Sequence, residues 1–118
     1  MICFSSLLPR KFSKEAVAIL TALKKYDVSY RPLDRTKDIW LRDFMPVRTR
    51  SGKLVSFRYE PSYLRDCPAL RTDFRRDIAP QLALTPLYAD INLDGGNVVF
   101  SPSGARVLIS DRVFSENP

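Results

Sequence analysis

The order of predicted elements repeats along this chain, and that repeat limits the folds it can adopt. A helix from Ser13 to Lys25 is followed by a short strand, an acidic loop and a hairpin that turns at Ser51-Gly52. A helix from Leu70 to Leu82 precedes the same series, whose hairpin turns at Pro102-Ser103-Gly104. The sequence therefore predicts an α/β fold of repeated αβ units, arranged as a propeller or a solenoid.

The repeat divides the chain into two units, approximately 1–64 and 65–118, within one domain. Arrays of this kind usually need about three units to cover the apolar face of each unit. Two units would leave strand edges and apolar surface uncovered, and such surfaces invite pairing with another chain. The sequence thus predicts self-association, or a partner chain that completes the fold.

Apolar periodicity and turn residues set the bounds of individual elements. The apolar stretch from Ile2 to Leu8 predicts a buried strand, and Ser13 is predicted to be the N-cap of the first helix. Two further strands are predicted at Val28 to Leu33 and Leu87 to Leu93. The apolar faces of the two helices are predicted to be Ala16, Ile19, Leu20 and Leu23 in the first, and Leu70, Phe74, Ile78 and Leu82 in the second.

The formal charge of +6 would suit an anionic partner, but the basic residues are spread from Arg10 to Arg112. Nucleic-acid binding is therefore not favoured. The nearest approach to a basic cluster is Arg71, Arg75 and Arg76, whose spacing predicts one side of a short helix. That side is expected to be a solvated face.

The cysteine and histidine content narrows the chemistry further. The chain has two cysteines, Cys3 and Cys67, and no histidine, so neither a disulfide framework nor a Cys₂His₂ zinc site is expected. No metal or other cofactor is predicted. The apolar start, Met1 to Leu8, is too short for a membrane span and follows no basic region. These features predict a reducing, cytoplasmic location without membrane association.

Two segments could carry chemistry. In residues 38–46, Trp40 and Asp43 could cradle a planar cation, because a guanidinium can bond a carboxylate while it stacks on an aromatic ring. The alternative is that Asp43 is an ordinary loop charge and Trp40 fills the core. The loop Asp94-Gly95-Gly96-Asn97 could be a plain tight turn, or it could bring its backbone close to a ligand.

Taken together, three segments resemble the agmatine deiminase and bacterial-type peptidylarginine deiminase family. They are Asp38 to Pro46, Phe57 to Leu64 and Asp90 to Asn97, and the ending Ser110 to Pro118 is also similar to that family. The resemblance extends from about Val28 to Pro118. It implies a pentein fold, in which five αβ units surround a central site, and this chain would hold about two of them.

The resemblance also implies roles for individual residues. Family members attack the guanidinium carbon with a cysteine thiolate, release ammonia and hydrolyse the thiouronium intermediate to a ureido product. By the match, Asp43 holds the substrate guanidinium, Trp40 lines the pocket, and Arg42 supports the loop. Gly95-Gly96-Asn97 matches the family's Gly-Gly-Asn loop, which shapes the site.

The match lacks two catalytic groups. The family's general acid/base histidine and its nucleophilic cysteine lie further downstream, and neither Cys3 nor Cys67 is in a matching segment. The resemblance therefore implies an N-terminal portion of a guanidino-group hydrolase, inactive alone, that supplies Asp43 for agmatine or an arginine side chain. The alternative is a catalytically inactive module that binds guanidinium groups or serves in assembly.

Overall fold

The structure is a computed structural model that describes all residues from Met1 to Pro118, and its fold is mixed α/β. The strands are β1 (Ile2–Ser5), β2 (Tyr30–Leu33), β3 (Val47–Arg48), β4 (Leu54–Arg58), β5 (Leu87–Asn92), β6 (Val99–Phe100) and β7 (Val107–Leu108). The α-helices are α1 (Leu8–Lys11), α2 (Ser13–Lys25), α3 (Leu41–Phe44), α4 (Ala79–Leu82) and α5 (Arg112–Glu116). There are also 3₁₀ turns at Ser62–Leu64, Pro68–Leu70 and Gly95–Asn97, and a π-helical turn at Phe74–Ile78.

Three small sheets hold the strands. β1 and β2 are parallel, β6 and β7 form an antiparallel hairpin, and the central sheet has the order β3-β4-β5. In the central sheet, β3 is antiparallel to β4 and β5 is parallel to β4. Both parallel pairs are joined by helical segments, as a parallel crossover requires. β4 belongs to the first predicted unit and β5 to the second, so strands from both units pair in this sheet.

Both predicted hairpins are confirmed. β3 pairs with β4 and β6 pairs with β7. Gly52 has a φ of 83° and Gly104 a φ of 68°. This left-handed backbone conformation favours glycine, so the two turn glycines are the local cause of both reversals. The acidic loop predicted ahead of each hairpin is instead a helical turn, α3 in the first case and Gly95–Asn97 in the second.

The start of the chain differs from the prediction. The first strand ends at Ser5, and Leu8 already begins α1, in which Pro9 occupies the first turn, where its missing N–H costs nothing. Phe12, and not Ser13, is the N-cap of α2, and it makes no side-chain capping bond. The reason is that α1 ends directly before Phe12, whose N–H donates to Leu8 O at 2.8 Å.

The second long helix also begins later than predicted. Leu70 ends a 3₁₀ turn and is 51% exposed, and helical structure begins only at Phe74. Asp73 has an extended backbone, and its carboxylate accepts a hydrogen bond from Arg76 N at 3.0 Å. This cap fixes the start of the helical segment and overrides the four-residue apolar period. Arg71 therefore lies outside the helix, and the predicted face of three arginines is wrong.

The core lies where β2, α3, the π-helical turn and α4 meet. Its five buried members are Leu33, Phe44, Phe74, Ile78 and Ala79. On α2 the predicted apolar face is only partly covered, because Ala16 is buried while Ile19 remains 43% exposed. None of the helices combines the length and apolar character needed to cross a bilayer.

The surface of the chain is large for its length. The accessible surface is 8299 Å², whereas surface scaling gives about 6500 Å² for a folded monomer of this size. The Cα radius of gyration is 15.3 Å, compared with about 13.5 Å for a typical single domain. Only 17 of the 118 residues are buried. Much apolar surface is therefore left that another polypeptide could cover.

We expect this surface to drive self-association. The β6–β7 hairpin exposes Val99, Val107 and Leu108, of which Leu108 is 70% exposed. Light scattering of the purified chain at tens of micromolar should give a mass above that of a monomer, and Leu108→Lys should lower it. A lysine at an exposed apolar position of α2, Val17→Lys, is the control. A monodisperse monomer would contradict this expectation.

Candidate functional site

The two motifs that are far apart in the sequence lie against each other in the structure. The Gly95–Asn97 turn packs on α3. A Cβ atom built on Gly95 would lie 2.5 Å from the carbonyl oxygen of Arg42 and 3.0 Å from that of Met45. Only a glycine allows the two backbones to approach this closely. The functional interpretation placed the loop backbone close to a ligand, whereas the structure places Gly95 against the backbone of α3 and its C-cap.

Arg42 joins the two segments by hydrogen bonds. Its Nε donates to Gly95 O at 3.2 Å, and its Nη2 donates to Val98 O at 2.9 Å. The guanidinium is therefore occupied by backbone carbonyls of the loop. These bonds agree with the prediction that Arg42 supports the loop.

The carboxylate of Asp43 lies directly over Gly96. A Cβ atom on Gly96 would collide with Asp43 Oδ1. Burial raises the pKa of Asp43, the charge of Asp38 raises it further, and Arg42 opposes both effects. No protein group donates a hydrogen bond to this carboxylate. The ionised form of Asp43 is thus less well stabilised here than in water.

Asp94 is a second carboxylate in the same place, and sequence reasoning did not assign it a role. Burial raises its pKa most, the charge of Asp43 raises it further, and Arg112 lowers it. Its carboxylate also accepts no hydrogen bond from the protein. The only signal in the sequence was an acidic residue next to two glycines, which is equally typical of a turn. The fold brings Asp94 within electrostatic range of Asp43, whose carboxylate lies against Gly96, two residues after Asp94.

Two tyrosines form an aromatic wall beside the carboxylates. The hydroxyls of Tyr59 and Tyr63 are 3.0 Å apart. Burial raises the pKa of Tyr59 most, followed by the hydrogen bond to Tyr63 and the charges of Asp43 and Asp94. Burial likewise raises the pKa of Tyr63, and the charges of Asp94 and Asp43 raise it further. Both phenols therefore remain protonated at neutral pH, and one of the two O–H groups is used in the hydrogen bond between them.

Trp40 does not fill the core. It is 64% exposed and occupies the N-cap position of α3. Asp43 N donates to Trp40 O at 3.1 Å, so the two residues are one helical turn apart. The alternative in which Trp40 is a core residue is wrong, and its role in lining a pocket stays a prediction.

Asn97 holds the loop in place. Its Oδ1 accepts a hydrogen bond from Ser110 N at 3.1 Å, which ties the turn to the chain after β7. Its own N–H donates to Asp94 O at 2.9 Å. The loop thus contributes close backbone packing at Gly95 and Gly96 and the anchoring hydrogen bonds of Asn97. The side chains at the site are carboxylates.

Helix α5 closes one side of the site. The carboxylate of Glu116 accepts hydrogen bonds from Ser62 Oγ at 2.6 Å and from Ser62 N at 3.1 Å. Arg112 donates to Glu116 at 3.1 Å, and its guanidinium carbon lies 5.3 Å from the centre of the Tyr63 ring. The bonds from Ser62, followed by those from Arg112, lower the pKa of Glu116. α5 therefore fixes the segment that carries Tyr63.

The cysteines lie elsewhere in the fold. Cys3 is in β1 and packs against the core, and Cys67 is exposed in the loop before the Pro68–Leu70 turn. No group of three or more potential metal ligands is assembled in the structure. Chemically, the site can hold and orient a cation between carboxylates.

No protein-family model, curated protein or solved structure matches this chain.

Proposed function

We propose that this chain supplies the guanidinium-binding part of a guanidino-group hydrolase related to agmatine and peptidylarginine deiminases. The observation that carries the proposal is the carboxylate of Asp43, which lies against Gly96, together with that of Asp94, two residues before Gly96; no protein group donates a hydrogen bond to either carboxylate, and the charge of Asp43 raises the pKa of Asp94. A cation is the group that such a pair is suited to receive, since it offsets both charges and supplies the missing donors.

The chemistry of the groups around the site favours a guanidinium over a simple ammonium ion. A guanidinium presents five N–H donors in a plane and can therefore bond two carboxylates at once, as well as stack on an aromatic face. Tyr59 and Tyr63 provide aromatic rings beside the carboxylates. Trp40, one helical turn before Asp43, would line the entrance for an agmatine chain or an arginine side chain.

In this proposal the chain binds the substrate and does not cleave it alone. Asp43 and Asp94 hold the guanidinium so that its carbon faces a thiolate, and the thiolate and the proton donor for the leaving ammonia come from outside residues 1–118. Without these two groups the reaction loses several powers of ten in rate. A pentein arrangement, completed by further units or by a partner chain, and a cytoplasmic location belong to the same proposal.

Calorimetry tests the binding site directly. The chain should bind agmatine or arginine with a roughly millimolar or tighter Kd. Asp43→Asn and Asp94→Asn should each weaken binding about tenfold or more, because a hydrogen bond to a charged group is worth about 1.5–3 kcal/mol. Asp66→Asn, which removes the same charge from an exposed loop position, should leave the affinity unchanged.

Stability measurements show whether these losses come from unfolding. The pKa of Asp94 is raised by folding, so its ionised form destabilises the fold; that cost is fully present above the raised pKa and disappears as the pH falls to the unfolded value. Asp94→Asn should therefore increase the thermal midpoint at neutral pH while it weakens binding. Unchanged affinity in both asparagine variants would contradict the proposal.

The alternative, a catalytically inactive guanidinium-binding module, uses the same carboxylate pair. It is favoured by the position of Cys3, which packs against the core and not in the site. Under both hypotheses, the hydrolase portion and the inactive module, an activity assay of the isolated chain with agmatine and an arginyl peptide should give no ureido product. Product formation above that of a Cys67→Ala variant would contradict both hypotheses.

A further inference from the structure

A second site lies in a groove beside β4 and β5, where the Pro68–Leu70 turn and the π-helical turn face the sheet. The groove has a volume of about 600 Å³, which lies within the range of roughly 300–1,000 Å³ typical of small-molecule sites. Four arginines line it: Arg58 from β4, Arg71 directly after the Pro68–Leu70 turn, and Arg75 and Arg76 from the π-helical turn. The arginines predicted to form a solvated helix face instead line a groove that also carries Glu60, Asp73 and Asp90.

The guanidinium groups of Arg58, Arg71 and Arg75 have donors to spare, unlike that of Arg76, which is bonded to Asp77. None of the first three donates a hydrogen bond within the protein. Arg71 Nη1 is 3.7 Å from Glu60 Oε1, and Arg58 lies 3.8 Å from Glu60 Oε2 and 3.4 Å from Asp90 Oδ1. All three ion pairs are therefore longer than typical hydrogen bonds. The Nε of Arg71 is buried and has no partner at all. A buried donor of this kind is costly unless a ligand satisfies it.

The other charged groups of the groove do not satisfy these arginines. Asp73 caps Arg76 N, and Arg76 is paired with Asp77 at 2.9 Å. The side chains of Glu60 and Asp90 are 52% and 90% exposed, respectively. The carboxylates therefore extend towards solvent, while the Arg71 side chain is only 25% exposed.

We propose that this groove binds a small molecule through a phosphate or carboxylate group held by Arg58, Arg71 and Arg75. Arginine forks match the oxygens of both groups, and several forks around one oxyanion give a directional site. The guanidinium of Arg75 lies 4.7 Å from the centre of the Tyr88 ring, which limits its movement and points to a built site. This site is independent of the Asp43 and Asp94 pair, which binds the opposite charge.

Nuclear magnetic resonance of arginine side chains tests the proposal on the whole chain. Inorganic phosphate and, separately, acetate are titrated at constant ionic strength set by chloride. The Nε–Hε signal of Arg71 should shift and saturate at millimolar phosphate or acetate, whereas the signal of exposed Arg10 should not. In Arg71→Gln, followed through the Nε–Hε signals of Arg58 and Arg75, the affinity should fall roughly tenfold or more, and Arg10→Gln should leave it unchanged.

Arg75→Gln provides the second variant, because Arg75 is exposed and its loss should not unfold the chain. It should lower the affinity measured in the same titration without a change in the thermal midpoint. Saturation with phosphate alone assigns a phosphate site, and saturation with acetate as well assigns a site for either oxyanion. Parallel, unsaturated shifts of Arg10 and Arg71, or full affinity in both glutamine variants, would overturn the proposal.

Discussion

Replacing Gly95 with alanine is expected to lower the free energy of unfolding by about 1–3 kcal/mol, the usual cost of overpacking a closed contact. The added methyl group would meet the carbonyl oxygens of Arg42 and Met45 at 2.5 and 3.0 Å. Both are backbone atoms of α3 or its C-cap, so neither can rotate away. The turn or the helix must shift, and the Arg42 bonds to Gly95 O and Val98 O lengthen with it.

Gly96→Ala is the matched substitution one residue further on, and it should behave differently. Its methyl group would meet the carboxylate of Asp43, which is the end of a side chain and can rotate. The variant should therefore keep most of the stability and lose guanidinium binding, because the Asp43 carboxylate is displaced from its position over Gly96. Chemical denaturation and calorimetry on both variants measure the two effects. Binding that survives in both would show that the loop does not shape the site.

The features that the sequence predicted well are those with a local cause. The hairpin turns depend on Gly52 and Gly104, whose φ values of 83° and 68° are open mainly to glycine. The α2 helix spans Ser13–Lys25, as its apolar periodicity indicates. In each case the deciding interactions are within a few residues of each other, so the pattern of neighbouring residues contains the information.

The features that the sequence did not predict depend on contacts between distant segments. Asp94 looks like a turn residue until the fold places it beside Asp43. Arg71 looks like part of a helix until the Asp73 cap starts that helix three residues later. Ile19 belongs to the apolar face of α2, but periodicity says nothing about what covers that face. The site itself is of this kind, since the motifs identified the residues but not their geometry.

Leu33→Ala should destabilise the chain more than any surface substitution, by about 2–5 kcal/mol. Leu33 is completely buried, and its cluster has only four other buried members. A cavity in so small a core removes a large share of the free energy of unfolding, because that free energy is typically only about 5–15 kcal/mol for a folded domain. Urea denaturation followed by circular dichroism measures the loss. Leu87→Ala removes the same atoms from a residue that is 59% exposed and should cost much less.

The same variant tests how the core supports the site. Phe44 is buried in the Leu33 cluster and is the residue after Asp43 in α3, so the packing of its ring fixes the direction in which Asp43 points. A cavity at Leu33 gives α3 room to move, and guanidinium affinity should fall even at temperatures where the chain remains folded. Leu87→Ala should leave that affinity intact. If Leu33→Ala lost stability but bound agmatine as tightly as the unmodified chain, the orientation of Asp43 would depend on the Arg42 bonds to the loop and not on the core.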